Sequence, residues 1–251
     1  MIHRQKLLSS LSTLMQSERF KDYCPNGLQV EGRSEIRKVV TGVTASLALI
    51  EAAVASHADA VLVHHGLFWR GHDGCVTGWM RKRLGLLIAH DINLFAYHLP
   101  MDAHPEWGNN AQLGKQLGLQ TLEQFGEQQL GSLGMPVGRV FESPQGLADH
   151  VQSVLRHPVV MVAGSQGPVR KIAWCTGGAQ GYFEAAIAAG ADAFITGEIS
   201  EPQAHYAREC GVSFFACGHH ATERYGAPAV GEWLAAQHGL EHEFIDIDNP
   251  A

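Results

Sequence analysis

The sequence predicts an α/β protein made of two related α/β lobes, and three observations carry that prediction. Apolar, β-branched or aromatic runs at 38–43, 60–63, 93–97, 171–176, 193–196 and 212–218 alternate with helical stretches, the pattern of parallel strands joined by crossovers. The segment 171–196 resembles 38–63 without a gap. Glu184-Ala185-Ala186 matches Glu51-Ala52-Ala53, and Ala191-Asp192-Ala193 matches Ala58-Asp59-Ala60. Several of these runs finish in histidine, at His64-His65, His98 and His219-His220, where an open α/β sheet collects its ligands.

Composition narrows the class. A chain of 251 residues can form one large domain or two lobes with real cores. An apolar fraction of 45% with 28 glycines excludes a disordered or coiled-coil chain. Lys and Arg total 18 against 25 Asp and Glu, and the formal charge of −7 works against a broad phosphate-backbone footprint. No apolar run spans a bilayer, and Met1-Ile2-His3-Arg4 opens an amphipathic helix instead of a signal-peptide core, so a cytoplasmic protein is expected. Five cysteines without a C-x-x-C pair fit a reducing compartment better than a disulfide scaffold. Fifteen histidines are the outlier, and neutral imidazole is the commonest metal-binding side chain.

In chain order, residues 2–16 carry Ile2, Leu7, Leu8, Leu11, Leu14 and Met15 at helical spacing. Residues 22–30 read as a loop, because Asn26-Gly27 follows Pro25. Strand 38–43, helix 46–56 and strand 60–63 form a βαβ unit. The loop 67–74 mixes aromatics with glycines and is expected to touch the site. Helix 76–89 has a solvated basic face through Arg81, Lys82 and Arg83. Strand 93–97 leads into His98, Asp102 and His104, and Asn109 or Asn110 caps a helix through Leu117. Residues 120–168, broken by glycine and proline, are expected to be a connecting subdomain or partner surface, with a helix at 147–155 and a strand at 159–162. Gly177-Gly178 precedes a helix at 180–188, and its amides could hold an anion, although no dinucleotide or P-loop pattern accompanies it. The lobes are expected at 1–125 and 126–251.

Side chains of neighbouring strand residues point to opposite faces. His64 and His65 therefore share a centre only if the strand has ended and the chain turns, which Gly66 would permit; the turn could give each ring its own ion. The second copy of the repeat ends in Gly197-Glu198 where the first ends in His64-His65, and His98…Asp102 aligns with His219…Glu223. Two such halves facing one another would bring His64, His65, His98, Asp102, His219 and Glu223 together. Imidazole nitrogen with carboxylate oxygen suits zinc, manganese, iron or nickel. Three histidines and two carboxylates exceed one tetrahedral ion and suit two divalent ions. The expected ligands are His64, His65, Asp102, His219 and Glu223, one carboxylate bridging, with Glu223 and His98 as catalytic residues. His98, His104, His220 and Glu198 are candidates for proton transfer, substrate contact or orientation of a ligand, and His220 is read as orienting.

Pro25-Asn26-Gly27-Leu28-Gln29, Val63-His64-His65-Gly66, His98-Leu99-Pro100-Met101-Asp102, Gly197-Glu198 and Gly218-His219-His220-Ala221-Thr222-Glu223 resemble the motifs of the GTP cyclohydrolase 1 type 2 homologue family, also called NGG-interacting-factor-like proteins. The resemblance covers essentially the whole chain in order. It implies a bilobal α/β fold, a dinuclear metal site whose ligands fall on the same five residues, and a toroidal homohexamer with sites facing its cavity. The short segment 120–168 resembles the compact bacterial form, whereas longer members carry an inserted domain. The chain departs from the family at Gly66-Leu67-Phe68-Trp69, where a proline usually follows the second histidine, and this bears on the pocket mouth. The resemblance implies a hydrolase acting on a nucleotide or nucleotide-derived compound, in the manner of GTP ring opening or in the handling of damaged nucleotides or DNA. The alternative is a non-enzymatic metal-binding scaffold or a module binding nucleic acid or protein.

Overall fold

The computed structural model describes residues 1–251. The chain divides into two compact units, Met1–Gly108 with Gly226–Asp248, and Asn109–Tyr225 with Asn249–Ala251. No helix is long and apolar enough to cross a membrane.

The first unit opens with β1 (Ile2–His3), α1 (Arg4–Met15), β2 (Gly27–Val30) and β3 (Glu35–Ile36). Next come β4 (Lys38–Thr44), α2 (Leu47–Ala55), β5 (Ala60–His65), α3 (Gly78–Ala89), β6 (Asn93–Ala96) and α4 (Leu99–Ala103). It closes with α10 (Gly226–His238) and β13 (Glu241–Phe244), numbered by their place in the chain. Its main sheet has the order β13-β4-β5-β6-β2, parallel except for the edge strand β2. Both faces are covered, which is why β5 reads as an unbroken apolar run. Val61 and Val63 pack with α2 and α3 residues such as Leu49, Ile50 and Leu87. Ala60 and Leu62 pack on the opposite face with Leu7, Leu11, Val230 and Leu234. Ser46 caps α2 by accepting from the amide of Leu49 at 3.2 Å.

The second unit contains α5 (Asn109–Gln116), β7 (Leu119–Phe125), β8 (Gly131–Pro136), α6 (Pro144–Leu155) and β9 (Val160–Val162). It continues through β10 (Ile172–Trp174), α7 (Phe183–Ala188), β11 (Ala193–Thr196), α8 (Glu201–Cys210), β12 (Ser213–Ala216) and α9 (His219–Glu223). Its sheet has the order β7-β8-β10-β11-β12-β9, with β10, β11 and β12 parallel and the flanking strands antiparallel. Buried Trp174 donates its indole N–H to the carbonyl of Asn110 at 2.9 Å, fixing α5 to this sheet.

The two units use the same local device at the turn between helix and strand. In the first, one carboxylate oxygen of Asp59 accepts from the amides of Arg37 and Lys38, at 2.7 and 3.0 Å. In the second, one oxygen of Asp192 accepts from the amides of Arg170 and Lys171, at 2.9 and 2.8 Å. Each aspartate thereby ties the start of one parallel strand to the start of the next.

Four expectations change. Residues 27–30 are a strand, not loop, because β2 completes the sheet edge against β6. Residues 119–136 are a hairpin that extends the second sheet, not an irregular connector. The glycines there permit close packing: a Cβ on Gly131 would strike the Phe125 ring, and one on Gly134 the carbonyl of Gln120. The lobes are not consecutive halves meeting at residue 125, since β13 pairs with β4 and α10 packs on the first sheet. The first parallel run also extends through His65 instead of ending at Val63.

Candidate metal centre

In the first unit, β5 delivers His64 and His65 as its last two residues, with His65 paired to Thr44 on β4. Their ring centroids are nevertheless only 4.5 Å apart. Each ring is anchored through Nδ1, His64 to the carbonyl of Tyr97 at 3.2 Å and His65 to the hydroxyl of Thr44 at 3.0 Å. Gly66 serves space instead of turning the chain. A Cβ there would strike the side-chain amide of Gln29, whose oxygen accepts from the amide of Leu67 at 2.8 Å.

His98 follows β6 at the N-cap of α4, its ring 5.0 Å from that of His64 and 5.7 Å from that of His65. One donor nitrogen from each of the three rings lies within 4.8 Å of the others. Asp102, buried on α4, places Oδ1 3.5 Å from Nε2 of His64. Behind His98 stands Asp22. Its Oδ1 contacts Nδ1 of His98 at 2.7 Å and accepts from the Tyr23 amide at 2.6 Å. Its Oδ2 accepts from Asn26 Nδ2 at 2.9 Å and the Leu99 amide at 3.0 Å. Burial pushes the Asp22 carboxyl up, but His98, Asn26 and the Tyr23 amide outweigh it and bring the pKa down to about 2. An ionised Asp22 fixes the proton of His98 on Nδ1 and leaves Nε2 as the basic nitrogen. Cys24 approaches the same carboxylate at 3.9 Å. Burial and the Asp22 charge push its thiol up to about 12, so it stays protonated at neutral pH.

In the second unit, His219 and Glu223 stand one turn apart on α9. Nε2 of His219 lies 3.1 Å from Glu223 Oε2, and Nδ1 lies 2.6 Å from Glu198 Oε1. Burial disfavours charge on this imidazole, but Glu223 first and Glu198 second outweigh it, raising the pKa to about 9. The first amide of the expected Gly177-Gly178 anion cradle is already engaged. The Gly177 amide donates to the Thr222 hydroxyl at 3.0 Å. Its φ of +68° and the closeness of Glu223 and His219, which a Cβ would strike, explain the glycine.

His104 does other work. Nδ1 of His104 accepts from the amides of Glu106 and Trp107, at 3.2 and 3.0 Å, closing the turn after α4. His220 is buried on α9, and its amide donates to the Ala251 carbonyl at 3.0 Å.

The residues of each unit fit a divalent ion by the chemistry of their donors. Imidazole nitrogens stand beside buried carboxylates, and each cluster histidine has Nδ1 held by a carbonyl, hydroxyl or carboxylate, the arrangement that orients metal-binding imidazoles.

A family model described as Duf34/NIF3 (NGG1p interacting factor 3) matches residues 2–250. The chain belongs to this family. Among relatives named GTP cyclohydrolase 1 type 2 homolog, that of Yersinia pestis is 54% identical over 98% of both chains. That of Pseudomonas aeruginosa is 52% identical over 98% of this chain and 97% of its own. The solved structure of protein ybgI, described as of unknown function, aligns over both full chains with a TM-score of 0.96 and 45% identity. The solved structure of TTHA1606 from Thermus thermophilus aligns over both full chains with a TM-score of 0.89 and 31% identity.

For a DUF34/NIF3 chain, the Pro25–Gln29 motif now has a physical role, in the support of the histidines. Asn26 accepts from the His98 amide at 2.8 Å, and Gln29 holds Leu67, two residues past His65. Sequence reasoning missed Asp22 and Thr44 altogether. Asp22 carried a usable signal, four residues before Asn26 in the same motif-bearing loop; Thr44 carried none until β4 was paired with β5.

Proposed function

We propose that this protein is a metal-dependent hydrolase acting on a nucleotide or nucleotide-derived compound, with two divalent ions held by His64, His65, Asp102, His219 and Glu223. The observation that carries this reading is the set of imidazoles oriented through Nδ1 within each unit, with a buried carboxylate beside Nε2 of His64 and another beside Nε2 of His219. The matched Asp59 and Asp192 turns, the aligned His98…Asp102 and His219…Glu223 pairs, and the family resemblance support a repeated lobe that carries a histidine and a carboxylate in each copy. When bound, such ions supply Lewis acidity and allow water to act as a nucleophile near neutral pH.

The chain's own groups do the rest. Asp22 keeps His98 in the tautomer whose Nε2 can accept a proton, which suits it to proton transfer beside the ligands. Glu198 orients His219, and Gly177 leaves room for Glu223. The name shared by the relatives suggests GTP ring opening, a reaction that attacks C8 and releases formate; a phosphoester is the other substrate class this donor set suits. A homohexameric toroid, implied by the resemblance, is part of this proposal.

The test is a panel of nucleotides and model phosphoesters offered to the manganese- and zinc-loaded protein. Metal-dependent turnover that Glu223→Gln abolishes while assembly persists is expected. No turnover of any substrate overturns the hydrolase reading, and loss of the oligomer in Glu223→Gln points to a structural metal.

A further inference from the structure

The two loops that flank the first histidine cluster are tied together, and each places an aromatic ring against His98. Leu67 is buried and Phe68 packs against the core of the first unit. Trp69, next in the chain, instead makes its ring contacts with the site. Its indole stands edge-on to His98 at 5.1 Å and lies 5.9 Å from His65. From the other loop, Tyr23 meets His98 edge-to-face at 6.3 Å, although it is 58% exposed.

Arg70 couples the two loops. Its amide donates to the Tyr23 carbonyl at 2.7 Å, its Nη2 donates to the Asp22 carbonyl at 3.1 Å, and its guanidinium lies 5.8 Å from the centre of the Tyr23 ring. One of its five donors is thus committed through the side chain, and the exposed remainder can meet an anion. An exposed tyrosine held by a backbone bond and a cation–π contact, beside a half-buried tryptophan that the core does not use, is a pre-organised surface for a flat ring.

We propose that Tyr23, Trp69 and Arg70 form the recognition subsite for a phosphorylated planar base. The two aromatic rings engage the base, and Arg70 engages a phosphate oxygen. This inference rests on the reading of the metal centre as a nucleotide site, and it assigns the selectivity for base over sugar phosphate to these three side chains.

The test is calorimetric titration of the full-length protein, as purified, with guanosine 5′-monophosphate, ribose 5-phosphate and guanosine. Wild type should bind the nucleotide most tightly. Trp69→Leu and Tyr23→Leu should each weaken the nucleotide about five- to a hundredfold, the range for loss of one base–aromatic stack, and leave ribose 5-phosphate unchanged. Arg70→Gln should weaken both phosphates and spare guanosine. Because Tyr23 is exposed, its variant keeps the test open even where Trp69→Leu fails to fold. Equal affinity of wild type for nucleotide and ribose 5-phosphate, or unchanged nucleotide affinity in Tyr23→Leu, overturns the inference. Binding is read without turnover, so an inactive protein that still shows these shifts refutes the hydrolase reading alone.

Discussion

Asp22→Asn should make the acid stability of this protein visibly different. The wild-type carboxylate is almost fully buried and gathers four nitrogen donors, at 2.6, 2.7, 2.9 and 3.0 Å. Its pKa falls from 3.8 in the unfolded reference to about 2 in the fold. A depressed carboxylate contributes stability that is complete above the unfolded value and is lost as pH falls through the folded one. At ~1.4 kcal/mol per pKa unit, the linkage is worth about 2 kcal/mol at neutral pH. Roughly half of that survives at pH 3. Asparagine has no such titration and turns an amide N–H₂ toward donors, so at pH 7 the variant should be destabilised by about 2–4 kcal/mol. Urea unfolding of both proteins from pH 7 to pH 3 measures the gap. It should narrow by about 1 kcal/mol over that range. A gap that stays constant would refute the ionised buried carboxylate, and with it the fixed tautomer of His98.

Three further outcomes are expected. Glu223→Gln should lower divalent-ion affinity by roughly a hundredfold or more, read by titration with Mn²⁺, because it removes a buried carboxylate that faces Nε2 of His219. The His219 proton is held up to about pH 9, so metal uptake at pH 7 should release about one proton from this residue, and affinity should fall as pH drops below 9; calorimetry in buffers of differing ionisation enthalpy counts that proton, and zero release would contradict the pairing. Gly177→Ala must place a Cβ against Glu223 at a φ of +68°, costing about 1–2 kcal/mol from backbone handedness alone, which a shift in thermal midpoint reports.

Much of the α/β framework was legible because burial on both faces of β5 and β11 demands unbroken apolar runs, and those runs stand out. Of the four edge strands in the two larger sheets only β9 stood out, and the others were hidden for a physical reason. β7 is exposed along most of its length and three of the four residues of β13 are polar, so neither needs an apolar sequence. Glycine misled twice more. At Gly131 and Gly134 it admits a neighbouring ring or backbone, and at Gly66 it admits Gln29, yet all three read as places where the chain breaks or turns. Within the site, the histidines were visible because their chemistry is rare at strand ends. Their supports were not, since a hydroxyl such as that of Thr44 or a carbonyl such as that of Tyr97 acquires meaning only through strand pairing.

The first sheet recruits its outermost strand from the far end of the chain, β13 joining β4 across almost the whole polypeptide. During synthesis, β4 emerges long before its neighbour exists. At ~5–20 residues per second the ribosome needs about ten to forty seconds to supply it. Through that interval one flank of β4 offers unpaired amides and carbonyls to any passing strand. The nascent chain therefore has a built-in window of vulnerability, which ends only when Glu241–Phe244 arrive to seal the sheet.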